Sequence, residues 1–217
     1  EDVKLRGYSP IFTGDDLVVE QVAEKMRQAK KPLLFVGGGV NISDTSAIIK
    51  KIAEWTGFPV ISSLMGLGCI PDNHTGHLGM VGMHGTYAAN MATTECDLLL
   101  GIGVRFDDRV TGVVKDFAPH AEVVHFDIDP AEINKNIIAD IKVVGDLQWS
   151  LPLLYNKIQK SGSNEWSEQI AAWFETVQGW KRENPLEYNC NKEVIMPQSV
   201  VEAVSELTKG DAVIVTD

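Results

Sequence analysis

Glycines, arginines and carboxylates that follow apolar runs are the residues of this chain whose types and spacing could do chemistry. Leu33-Leu34-Phe35-Val36 leads directly into Gly37, Gly38 and Gly39. Residues that small let a backbone approach a phosphate closely, and they equally serve a tight turn for its own sake. The triplet is not the spaced G-x-G-x-x-G fingerprint, so both readings stand. A second apolar run, Asp97 to Gly103, leads into Arg105-Phe106-Asp107-Asp108-Arg109. Guanidinium groups match phosphate oxygens two at a time, so Arg105 and Arg109 could clamp a diphosphate while Asp107 orients them; a surface ion-pair cluster has the same composition. A third run ends in Asp127-Ile128-Asp129-Pro130 and a fourth in Gly145-Asp146. An acid at the carboxyl end of a strand can accept both hydroxyls of a ribose, whereas one of Asp127 and Asp129 is expected to cap a helix opening at Pro130. His84, within Gly82-Met83-His84-Gly85, sits where a helix would start and could donate to a phosphate or merely cap. His74 and His77 are three apart, but nothing nearby completes a metal site. There is no G-x-S-x-G elbow, no phosphate-loop lysine and no nucleophile-base pair.

These candidates need strands to carry them, and the order of elements supplies the strands. Val18, Val22, Met26 and Ala29 recur at helical spacing after Thr13 or Asp15, and Pro32 stops that helix. Residues 33–36 read as a strand buried on both faces, a helix capped at Ser43 or Asp44 follows, and 59–62 make a second strand. A long glycine-rich loop runs from Ser63 through Leu64 and Met65 to Thr86, and loops of that length are more often functional than idle. Residues 87–94 read as a helix, 97–103 and 123–128 as strands, 131–136 as a short helix and 143–144 as a last short strand. Alternating helices and buried strands predict an α/β fold, a doubly wound, Rossmann-like parallel sheet of about five to six strands with helices on both faces. Residues 147–158, with Pro152 inside, and 165–183 read as helices, the tryptophans of the latter as packing anchors. Residues 199–207 read as a helix and 211–217 as a strand, expected to open a further domain. In such a sheet, ligands bind outside the carboxyl ends of the strands, where every candidate above falls.

The chain has 217 residues and a net charge of −11, which repels nucleic-acid backbones and anionic lipid surfaces. No apolar run approaches the roughly 20 residues that cross a bilayer, and the opening EDVKLRGYSP has no signal-peptide core. Three cysteines without C-x-x-C spacing fit neither a disulfide scaffold nor a zinc site, and favour a reducing, intracellular compartment. From the residues alone, the reading stops at a nucleotide-binding α/β domain.

The strings LFVGGGV, SSLMGLGCIPD, LGMVGMHGTYAANMA, DLLLGIGVRFDDRVTG, VVHFDIDPAEINKN and VVGD closely resemble the central domain of the biosynthetic acetolactate (acetohydroxyacid) synthase large subunit. The resemblance covers essentially the whole chain, and GMHGTYAAN with GVRFDDRVTG is its most specific part. It implies a central domain that binds FAD, held by Arg6, Gly37, Gly38, Gly39, Leu64, Met65, Gly82, Met83, His84, Gly85, Gly103, Arg105, Asp107, Arg109, Asp127, Ile128 and Asp146. It implies no catalytic residue and no metal ligand in this stretch. Met83 and Arg109 resemble residues near the family's substrate channel and herbicide pocket. The parent enzyme of the family condenses two pyruvates, or pyruvate with 2-oxobutyrate, with loss of carbon dioxide, using thiamine diphosphate and Mg2+ held by flanking domains.

The resemblance also implies an organisation and partners. Residues 1–13 would be a linker from a preceding pyrimidine-binding domain, 14–160 the FAD domain, 161–197 a helical linker and 198–217 the start of the thiamine-diphosphate domain. Expected partners are the flanking domains, further copies in a homodimer or tetramer and a small regulatory subunit, in the cytoplasm or, in a eukaryote, a plastid or mitochondrion. Two alternatives remain: a related flavin-containing enzyme such as glyoxylate carboligase, and a stand-alone nucleotide-binding module.

Overall fold

Strands that carry no polar alternation must be covered on both faces, and two of them lie side by side at the centre of a six-stranded sheet. The computed structural model describes residues 10–160, 162–189 and 193–215. In the first of two units, Glu1–Asn184, the elements run α1 (Asp16–Gln28), β1 (Pro32–Val36), α2 (Gly38–Ile42), α3 (Ser46–Thr56), β2 (Val60–Ser62), β3 (His77–Met80), α4 (Tyr87–Glu95), β4 (Leu98–Ile102), α5 (Asp108–Thr111), β5 (Glu122–Asp127), β6 (Ile141–Val144), α6 (Leu147–Ile158) and α7 (Ser163–Glu183). The strand order is β3-β2-β1-β4-β5-β6, parallel throughout. The expected doubly wound sheet is thus present, and its order reverses between β1 and β4, the position where such sheets open a ligand crevice.

Alternate residues of β1, β2, β4 and β5 feed two cores. Leu34 and Val36 join α1, α3 and α6 on one face, while Leu33 and Phe35 join α4 on the other. α7 serves both, burying Trp166 and Ile170 against the first core and Trp173 and Val177 against the second. Its polar side chains tie it to the amino ends of the strands. Trp173 Nε1 donates to the Pro32 carbonyl at 3.0 Å and Lys181 Nζ to the His77 carbonyl at 2.7 Å. α6 accommodates Pro152 in its interior, and its opening is capped by Asp146, whose carboxylate accepts from the Gln148 amide at 2.8 Å.

Several local expectations are corrected. The long loop between β2 and α4 contains a strand, β3, which pairs with β2 through an irregular register. None of its four residues, His77-Leu78-Gly79-Met80, is β-branched and one is a glycine, so composition conceals it. The glycine triplet opens a five-residue helix, α2, rather than only a turn. α3 is entered at Thr45 because Asp44 is left-handed, with φ 55°. Residues 131–136 form turns, not a helix. There the Asp129 carboxylate accepts from the Ala131 amide at 2.9 Å, Asn134 is left-handed at φ 61°, and its Oδ1 accepts from the Ala139 amide. Side-chain bonds of this kind compete with helical ones.

The two histidines three residues apart are structural. His77 Nε2 lies 3.1 Å from Ser62 Oγ and its Nδ1 3.3 Å from Asp72, and His74 Nδ1 accepts from the Gly76 amide. Among the described residues, no group of three or more His, Cys, Asp or Glu side chains could hold a metal ion, and no helix is long and apolar enough to cross a membrane. Cys69 and Cys96 are buried free thiols, one in each core.

The second unit, Pro185–Asp217, is built on α8 (Pro197–Thr208). Pro197 occupies its first turn, where a missing amide costs nothing, and left-handed Lys209 ends it. Tyr188 donates to the Glu202 carboxylate. None of the residues of α8 is buried. The strand expected over 211–217 is not formed at 211–215, because an isolated strand has no backbone neighbour to pair with.

Candidate functional site

The cleft at the β1/β4 switch point exists because the backbones of two strand ends approach more closely than side chains allow. The Gly37 amide donates to the Ile102 carbonyl and the Gly39 amide to the Gly103 carbonyl, both at 3.0 Å. A Cβ on Gly37 would lie 2.2 Å from the Gly103 oxygen, and Gly103 itself is left-handed at φ 60°. The geometric reading of the triplet therefore holds, and it does not displace the other, since Gly38 and Gly39 also line the cleft.

Past Gly103 the chain makes an unusual turn. Phe106 has φ 47°, a conformation that costs a bulky residue about 1–2 kcal/mol. Three contacts hold it there. His125 Nε2 is 2.7 Å from the Val104 carbonyl, Asn136 Nδ2 donates to the Phe106 carbonyl at 3.0 Å, and the Phe106 ring packs edge-on against Phe35, Phe117 and His125. Phe35, Gly101 and His125 are register partners on β1, β4 and β5. Gly101 leaves the gap that the ring fills, for a Cβ there would come 2.5 Å from Phe106 Cζ.

The resulting cleft has a volume of about 1020 Å³. One wall carries Gly38, Gly39, Leu64 and Met65, the rim Met83 and His84, and the floor Gly103. Arg105 and Asp107 come from the β4–α5 turn, Arg109 from α5 itself, and Asp127, Ile128 and Asp146 from the ends of β5 and β6. Gly37, Gly82 and Gly85 stand outside the lining. The Met83 amide beside Gly82 donates to the Arg109 carbonyl, and a Cβ on Gly82 would lie 2.4 Å from that oxygen. His84 is exposed rather than capping; Thr86 caps α4 by accepting from the Ala89 amide. Arg6 lies outside the described residues.

The two arginines of the cleft are only loosely paired. Arg105 and Arg109 are 71% and 76% exposed and reach Asp107 and Asp108 at 3.9 Å each. Pairs that open leave guanidinium groups available to an anion. Asp107 Oδ1 and Glu132 Oε2 are buried without a hydrogen-bond partner, and an unmet acceptor of this kind costs about 1–3 kcal/mol. The lining serines are engaged locally, Ser43 Oγ with the Gly39 carbonyl and Ser63 Oγ with the Gly66 amide. The cleft is thus equipped to bind: cations for an anionic group, unsatisfied carboxylate oxygens for hydroxyl or N–H donors, apolar faces for a ring.

Glu132, Phe106 and His125 belong to this site and do not follow from the motif reading. Glu132 was hidden by the expected helix over 131–136. A histidine inside the apolar run Val123-Val124-His125-Phe126 and a glycine inside Leu98–Ile102 are the only local oddities that mark the other two, and neither shows what the residue touches.

Burial raises the Asp127 carboxyl above its ordinary 3.8, opposed by the Asp129 amide that donates to it. The folded chain therefore holds this proton more tightly than the unfolded chain, and the associated stability is lost as pH rises through the raised value. Asp127→Asn, whose amide oxygen can still accept from Asp129, is expected to raise the urea midpoint of the ligand-free chain at neutral pH; an unchanged or lower midpoint refutes the burial argument. His77 and His125 behave oppositely. Burial lowers both below their ordinary 6.5, so their stabilising contribution is complete above that value and is lost as pH falls. The urea midpoint is expected to drop between about pH 7.5 and about pH 5.5, and a flat midpoint across that range refutes the burial of the two rings as neutral groups.

Comparison with known proteins places this geometry. Residues 19–154 match the family model described as "Thiamine pyrophosphate enzyme, central domain". The acetolactate synthase isozyme 3 large subunit of Escherichia coli (strain K12) is 38% identical over all 217 residues, which span 38% of that relative. The acetolactate synthase large subunit of Haemophilus influenzae is 42% identical over the same span, also 38% of its length. That of Corynebacterium glutamicum is 41% identical over 212 residues, 97% of this chain and 34% of the relative. The chain therefore spans little more than a third of the length of these relatives. With its switch-point cleft and a match over most of the sheet, this chain belongs to the central-domain family of thiamine pyrophosphate enzymes.

Proposed function

We propose that the cleft binds FAD and that the chain acts as the flavin-holding central domain of an acetolactate synthase. The observation that carries the reading is the meeting, at one switch point, of two loosely paired arginines, Arg105 and Arg109, with two buried carboxylate oxygens that lack donors, on Asp107 and Glu132. The arginines suit the diphosphate, the carboxylates suit the ribitol and ribose hydroxyls, and the apolar wall of Leu64, Met65 and Met83 suits the ring system. Gly37, Gly82 and Gly85 support the lining from behind, and Arg6 completes the proposed flavin set. FAD supplies no net redox step to this condensation and serves as a structural cofactor.

The parent reaction joins two pyruvates, or pyruvate and 2-oxobutyrate, with release of carbon dioxide, using thiamine diphosphate and Mg2+ bound by flanking domains. Residues 161–197 then lead towards the thiamine-diphosphate domain that begins within 198–217. Partners are those flanking domains, further copies of the parent and a small regulatory subunit, in the cytoplasm or in an organelle of a eukaryote.

The test is a titration of the chain with FAD, ADP and NAD, following flavin fluorescence and calorimetric heat. Selective binding of FAD is expected. Binding of ADP with no preference for FAD supports instead a plain nucleotide module, and failure with all three overturns the site.

A further inference from the structure

We infer that His125 is the positioning residue of the cleft: its Nε2–H, donated to the Val104 carbonyl, holds the turn that presents Arg105 and Asp107. The inference rests on the flavin reading above and adds to it a residue that does not line the cleft. His125 is fully buried at the centre of β5, in the row formed with Phe35 and Gly101. A carbonyl can only accept, so a 2.7 Å contact from Nε2 requires the proton on that nitrogen. Nδ1 is buried and has no partner, as expected of the bare nitrogen of a neutral ring. The tether acts where the chain most needs one, between left-handed Gly103 at φ 60° and left-handed Phe106 at φ 47°. The imidazole also stacks edge-on against the Phe106 ring at 4.8 Å between centroids. One side chain thus fixes both the carbonyl before Arg105 and the ring after it. Arg105 itself is exposed and makes a single long ion pair, so its aim depends on the backbone that carries it.

Three measurements on the whole 217-residue chain test this. Nitrogen-15 imidazole shifts of the wild type without ligand are expected to show the Nε2–H tautomer for His125, and the Nδ1–H tautomer overturns the inference. His125→Phe keeps a ring against Phe106 but offers no donor, and is expected to weaken FAD binding about tenfold with an unchanged far-ultraviolet spectrum. His125→Gln can place an amide N–H near the lost Nε2 and is expected to stay within about threefold of the wild type. Wild-type affinity in His125→Phe overturns the positioning role, as does a loss in His125→Gln equal to that in His125→Phe, which would mark a purely packing role. A wild type that shows the Nε2–H tautomer but binds no FAD removes the flavin reading and the inference with it, a failure distinct from one confined to the variants.

Discussion

Gly37→Ala is expected to destabilise the chain by about 3 kcal/mol or more, the upper range for forcing atoms into a packed site. The added Cβ would stand 2.2 Å from the Gly103 carbonyl oxygen and 2.6 Å from Val104 Cγ1. Neither strand end can retreat, because β1 and β4 are locked in register up to Val36 and Ile102. Gly38→Ala is the control, since its Cβ meets a side-chain atom, Met65 Cβ, at 3.0 Å. Met65 Cβ moves only with its backbone, but that backbone belongs to the short Leu64–Gly66 turn rather than to the sheet and has to give by no more than a few tenths of an ångström, so the expected loss is about 1 kcal/mol. Equilibrium urea denaturation of the two variants checks both values. Equal midpoints would mean that the strand ends do not meet as described.

Arg105→Ala is expected to weaken FAD binding about 10- to 100-fold, the equivalent of one charge-assisted contact worth about 1.5–3 kcal/mol. Its stability is expected to stay within about 0.5 kcal/mol of the wild type, because an exposed pair at 3.9 Å contributes little. Affinity and stability thus separate in this variant, whereas they fall together in Gly37→Ala. An Arg105→Ala chain that binds FAD as the wild type does would remove Arg105 from the site.

The architecture was legible because periodicity and burial report the same thing. β1 and β4 are apolar at nearly every position, and only a sheet covered on both faces needs that. β3 was not legible, for Gly79 and His77 carry no strand signal and its pairing depends on β2 being in place. The turns at 131–136 escaped for the opposite reason, since a helical composition was overruled by side-chain bonds from Asp129 and Asn134. In the site, the strand-tip rule and the resemblance named the groups that face the cleft, including Arg105, Asp127 and Asp146. Residues that act from behind were not legible: His125 and Phe106 matter through a row across three strands, which no linear spacing displays.

The two buried thiols make the chain its own reporter of opening. Cys69 lies directly behind the glycine turn, with Sγ 3.2 Å from Asn41 Oδ1 and 3.9 Å from the Gly37 carbonyl. Cys96 lies in the opposite core, and burial, helped by nearby Asp97, pushes its thiol up to about 12. Only the thiolate alkylates at a useful rate, so each cysteine reacts chiefly when its surroundings part. Labelling of Cys69 then clocks local breathing of the cleft wall and labelling of Cys96 clocks the opening of the far layer, so a ligand that settles on the switch point slows the first clock more than the second.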